Sequence, residues 1–136
     1  MRSATVALAV VGLVWLAACS AAEEGDQATW SLAPGQEVTA ETTVLKLEAT
    51  RTSCANGRTG ELLEPVITVS ESRVIVRIDA VPLKPGGYDC PGNDRVPVTV
   101  RLEEPVGDRE LVDGGCLRED AREIGDCEDP VRWSGA

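Results

Sequence analysis

Residues Arg73–Val81 (RVIVRIDAV) decide the fold. Val74, Val76, Ile78 and Ala80 fall on one side of a period of two, with Arg73, Arg77 and Asp79 on the other. Successive side chains of an extended chain point to opposite faces, so this alternation predicts a strand with one face in a core and one in water. The same pattern recurs outward from it. In Thr43–Arg51 (TVLKLEATR), Leu45, Leu47 and Ala49 alternate with Lys46, Glu48 and Thr50. In Val96–Glu103 (VPVTVRLE), Val96, Val98, Val100 and Leu102 are the inward set, and Thr99, Arg101 and Glu103 the outward set. Pro65–Ser70 (PVITVS) is short and β-branched, and Ser70-Glu71-Ser72 joins it to the first strand as a hairpin. Pro97 lacks an amide hydrogen and so places its strand at a sheet edge or at its own start. Four or five short strands with polar outer faces predict an all-β domain, a small antiparallel sandwich or open barrel. Helical character is confined to Cys116–Cys127 (CLREDAREIGDC), where Arg118–Ile124 reads as one or two turns stopped by Gly125.

The chain has 136 residues and a net charge of −10, with no histidine. That charge disfavours nucleic acid, whose affinity rests on phosphate neutralisation by Lys and Arg. Without histidine, Ser-His-Asp and Cys-His catalysis is excluded and the commonest general base is missing. No G-x-S-x-G, phosphate-cradling glycine loop or H-E-x-x-H occurs. A glycosidase-type carboxylate pair would need a sugar platform, yet beyond residue 18 the aromatics are Trp30, Tyr88 and Trp133 alone. The chain is read as non-catalytic, with no cofactor and no metal.

Two stretches carry a functional reading beside a structural one. In Pro105–Gly115 (PVGDRELVDGG), Arg109 is either an anion contact in a binding loop or, as we read it, the partner of a carboxylate such as Asp113 in a strand bounded by two turns. Residues 103–129 hold eleven acidic side chains against three arginines. Asp126, Glu128 and Asp129 stand close enough to suggest calcium, but no D-x-D-x-D-G loop exists, and a solvated repulsive surface is the expected role.

Cys54, Cys90, Cys116 and Cys127 allow three disulfide connectivities. None is spaced C-x-x-C, which argues against zinc. The loop contexts SCANGRTG and GGYDCPGN, flanking strands that should pair, favour Cys54–Cys90; a short C-terminal closure favours Cys116–Cys127. Each bridge is worth roughly 3–4 kcal/mol on the chain-entropy model, much for a domain of this size.

The fifth cysteine sits differently. Residues 4–18 (ATVALAVVGLVWLAA) carry no charge, follow Arg2, and end in Leu16-Ala17-Ala18-Cys19. An apolar residue, two small residues and a cysteine after such a run resemble the lipobox of a bacterial lipoprotein. Fifteen residues are a signal-peptide core and short of the about 20 that span a bilayer; an uncleaved anchor and plain secretion are the other readings. The lipoprotein resemblance implies cleavage after Ala18 and a diacylglycerol on Cys19. Two acyl chains, at about 0.8 kcal/mol per buried CH₂, hold a protein stably where one does not. Further along, Cys54-x-Asn56-Gly57, Leu63-x-Pro65-Val66, Cys90-x-Gly92-Asn93 and Leu102-Glu103-x-Pro105-x-Gly107-x-Arg109-x-Leu111-x-Asp113-Gly114 resemble small uncharacterised lipoproteins of high-GC Gram-positive bacteria. That likeness implies fold and place, and no mechanism. Three segments follow: a signal peptide over 1–18, a flexible tether over 19–40 in which Trp30 is expected to dock on the domain, with contact at the lipid interface as the other reading, and a β-rich extracytoplasmic domain over 41–136. The expected partners are the membrane, through the lipid on Cys19, and an envelope protein met by the stapled loops 52–60 and 82–95. A cation held by the acidic C-terminal segment is the alternative.

Overall fold

The computed structural model describes residues 24–135. The expected signal peptide and the expected lipidation site Cys19 lie outside the described residues. Among the described residues, eight strands form two sheets: β1 (Asp26–Leu32), β2 (Val44–Arg51), β3 (Val66–Val69), β4 (Arg73–Arg77), β5 (Asp79–Ala80), β6 (Val96–Arg101), β7 (Glu110–Asp113) and β8 (Val131–Trp133). The first sheet runs β5-β1-β2-β6 and the second β3-β4-β7-β8. Together they make a β-sandwich. Its core holds Leu45, Leu47 and Ala49 from β2, Val74 and Val76 from β4, Val100 from β6 and Leu111 from β7, with Trp30 from β1. The period of two therefore does what it predicts: each inward residue of β2 and β4 is buried.

Every ladder is antiparallel except β4–β7, which pairs Arg73 with Glu110 and Val76 with Asp113 in parallel. A parallel neighbour needs a long crossover. Here the chain leaves the second sheet after Arg77, contributes β5 and β6 to the first, and returns as β7. Pro97 lies in β6, an edge strand, as its missing donor requires. The short helical turns expected in Cys116–Cys127 are present as 3-10 turns at Gly114–Leu117, Glu119–Glu123 and Gly125–Cys127.

The tether expected over 19–40 is corrected. Asp26–Leu32 is β1, lying between β5 and β2 in the first sheet. Trp30 is 2% exposed, and its indole Nε1 donates to Val76 O at 2.8 Å. This strand escapes the period-of-two reading because its neighbours are covered too. Gln27 and Thr29 are buried, and Gln27 Nε2 donates to Gly115 O at 2.7 Å. The domain thus begins near Gly25 rather than at residue 41.

Asp79 is a second correction. It was expected on the solvent face, yet it is 3% exposed. Arg77 Nε approaches it at 3.0 Å and Arg118 Nη1 at 3.7 Å, and Gly25 N donates to it at 3.4 Å. Two guanidinium groups and the incoming chain cover a carboxylate that alternation alone would leave in water.

Candidate functional site

Both expected disulfides are present. Cys54–Cys90 joins chain positions 36 apart with Cα atoms 4.5 Å from each other, and Cys116–Cys127 closes an 11-residue span at 5.0 Å. The first bridge brings loops 52–60 and 82–95 into one surface at which Cys54 and Cys90 are themselves exposed.

The staple is not the only tie. Ala55–Arg58 turns sharply, with Arg58 N donating to Ala55 O at 3.1 Å. The two central residues, Asn56 and Gly57, take φ of 55° and 82°, the left-handed pair that an Asn-Gly turn supplies at little cost. Asn56 then locks to the second loop twice: its N donates to Asp89 O at 3.0 Å, and its Oδ1 accepts from Asp89 N at 2.7 Å. Asp94 N donates to Gly57 O at 3.0 Å, and Asp94 Oδ1 accepts from Thr59 N at 2.6 Å. Asn93 Nδ2 reaches Arg51 O and Ser53 O. Tyr88, half-buried, lays its ring over Gly86 and donates its hydroxyl to Lys84 O at 2.7 Å, closing its own loop.

Arg51 supports this surface from below, and sequence reasoning passed over it. It is 3% exposed at the end of β2. Its guanidinium pairs with Asp26 and donates to Thr59 O at 3.0 Å and Val81 O at 2.6 Å. One buried cation thus joins β1, the first loop and the start of the second. The signal was available: Arg51 continues the inward parity of Leu45, Leu47 and Ala49, and a charge at an inward position needs a partner there.

Beside the loops runs a polar groove of about 450 Å³ lined by Thr29, Thr50, Thr52, Asn93, Arg95 and Asp126, among others. A neighbouring hollow that shares Thr29, Thr50, Arg95 and Asp126 with it is lined by Trp30 and by Arg132, one half of a buried ion pair. Asp113 is 0% exposed, and its Oδ2 accepts from Arg132 Nη2 at 3.0 Å and Trp30 N at 2.8 Å. Its Oδ1 accepts from Gly115 N at 2.9 Å. Burial pushes the Asp113 carboxyl above the ordinary carboxylate value, outweighing the opposing pull of these hydrogen bonds and of Arg132. Arg132 spends its remaining donors on Trp30 O, Asp129 O and Asp126 O.

Arg109 pairs with a nearby carboxylate as expected, but the one suggested as an example, Asp113, is not it. Asp113 belongs to Arg132, whereas Arg109 pairs with Glu104 at 3.0 Å and donates to Pro105 O at 3.1 Å. Stretch 105–115 is a turn followed by β7, and Arg109 closes the turn. In the acidic C-terminal segment, Asp129 Oδ1 accepts from Val131 N at 2.9 Å. Among the described residues, no three His, Cys, Asp or Glu side chains form a group that suits a metal ion. No helix among the described residues is long and apolar enough to cross a membrane. No protein-family model, curated protein or solved structure matches the chain.

Proposed function

We propose that this protein is a lipid-anchored lipoprotein on the extracytoplasmic face of the cell membrane, acting as a non-catalytic interaction module whose contact surface is the stapled loop pair 52–60 and 82–95. The observation that carries this reading is the double tie between those loops, a disulfide reinforced by hydrogen bonds from Asn56, Asn93 and Asp94. Loops held in shape before binding lose little conformational freedom on contact, which lowers one of the entropic penalties of association. The charge of the surface supports the same reading. Arg58, Lys84 and Arg95 against Asp89 and Asp94 leave it net +1 on a chain of net −10.

The anchor rests on cysteine use. With Cys54, Cys90, Cys116 and Cys127 paired, Cys19 remains over for the lipid. Because β1 starts at Asp26, the span from Cys19 reaches at most roughly 25 Å when fully extended. The domain is then held close against the bilayer rather than on a long leash, and its partner is a membrane or near-membrane protein.

Two measurements test this together. Intact mass of the membrane-extracted protein is expected to show a diacylglycerol adduct that disappears in Cys19→Ala. Partner recovery with the natively anchored protein, after in-cell cross-linking, is expected to fail in the Arg58→Glu/Lys84→Glu variant. An unlipidated Cys19 overturns the anchor. Recovery unchanged by reversing both loop charges overturns the contact surface.

A further inference from the structure

β3 is an edge strand, Val66-Ile67-Thr68-Val69, bonded on one side only, to β4. Ile67 faces Val76 across the ladder and Val69 faces Val74, so both share the core face of those buried residues. Yet Ile67 is 38% and Val69 43% exposed. The sandwich is open here: between β3 and β6, the edge strand of the other sheet, runs a groove of about 500 Å³ floored by Ile67, Val69, Val74 and Leu102. It continues along Pro65 and Val100. Leu117, 47% exposed, lies with Val66 and Thr68 on the opposite face of β3. The large apolar side chains most exposed among the described residues therefore border one strand.

The backbone of that strand is open as well. Ser70 N donates to Arg73 O at 2.9 Å and closes the hairpin. Antiparallel hydrogen bonding alternates, so Thr68 and Val66 bond to β4 while the N–H and C=O of Ile67 and Val69 point away from it. β6 differs: Pro97 interrupts the donors along its edge. The rim is acidic. Glu64, Glu103 and Glu104 stand around the groove against Arg101, and Glu104 is shared with Arg109.

From this juxtaposition we propose that β3 accepts an extended, basic peptide segment of a partner as an additional strand. Its amide groups pair with those of Ile67 and Val69, its alternate apolar side chains cover the open seam, and its Lys or Arg residues meet Glu64 and Glu103. Strand addition draws affinity from main-chain bonds and specificity from alternate pockets. The acidic rim argues against a second copy of this chain, since two such rims would face each other. None of the residues lining the seam belongs to the stapled loops, so the two surfaces stand or fall separately.

The test is selection of a randomised ten-residue peptide library on the full chain, purified from membranes in detergent. The expected enrichment is of sequences alternating apolar residues with Lys or Arg. Their affinity should fall at least tenfold in Val69→Pro, which removes an outward N–H and leaves the β3–β4 ladder bonds in place. It should fall similarly in Glu103→Lys, and stay unchanged in Arg58→Glu. Thermal melts identify a Val69→Pro chain that has lost its fold; Val69→Lys then replaces it. No enrichment, or binding indifferent to Val69 and Glu103, overturns the proposal. A dimer that dissociates on Val69 substitution gives the edge to a second copy and overturns it too.

Discussion

Asp113 shows how a single side chain can organise a domain of this size. Its two oxygens receive the amides of Trp30 and Gly115 and the guanidinium of Arg132, so β1, β7, β8 and the first 3-10 turn meet on one carboxylate. Asn puts an amide nitrogen where one of these oxygens accepts, so at least one buried donor loses its acceptor, at roughly 1–3 kcal/mol. Asp113→Asn should therefore lower the urea-unfolding free energy at acid pH by about that much. The pH dependence has a definite sign. Burial raises the folded-state value above the unfolded one, so the folded state holds its proton more tightly. The contribution of Asp113 is fully present below the ordinary carboxylate range and declines as pH rises through the raised value. The stability difference between the native protein and Asp113→Asn should accordingly shrink from acid toward neutral pH; a difference that grows contradicts the assignment. Residue-scale partners were the part least legible in the sequence. Arg109 and Asp113 stand four apart in the chain, which suggested a pair, whereas the true partner of Asp113 is 19 positions away in β8. Nothing local marks such a partner, because it is chosen by which strands become neighbours.

At the scale of elements, strands with one wet face could be read, and β1, covered on both faces, could not. β2, β4 and β6 alternate, and the structure buries their predicted inward sets most fully at Leu45, Leu47, Val74, Val76 and Val100. β1 alternates Gln27 and Thr29 with Ala28 and Trp30, and all four are buried, with the Gln27 amide donating to Gly115 O across the fold. Polarity there disguises a core strand as a linker. β8, three residues after Pro130, is too short to show any period. The consequence is testable by truncation. A chain begun at Glu24 should keep its native circular dichroism and cooperative melt. A chain begun at Ala33, which a tether reading would regard as harmless, should lose both, because it removes Trp30 and exposes Leu47 and Val76. Retention of a cooperative melt without β1 would show that the strand is dispensable.

For the whole molecule, two disulfides support a core made mostly of Val, Leu and Ala. On the chain-entropy model, the 36-residue span of Cys54–Cys90 is worth about 4 kcal/mol and the 11-residue span of Cys116–Cys127 about 3 kcal/mol. Paired alanine substitution of each bridge, compared by urea unfolding, should place Cys54→Ala/Cys90→Ala as the more costly, and the reverse order would contradict this account. The difference matters because the longer bridge also shapes the proposed contact surface. The most direct test of that surface is a photo-cross-linking scan in living cells, with the full chain carrying the reactive side chain at one site at a time. Positions 58 and 84 lie in the stapled loops; positions 36 and 41 are controls outside them. The account predicts one discrete adduct shared by 58 and 84 and absent at 36 and 41. Adducts at the controls alone, or none at the stapled loops, would contradict it.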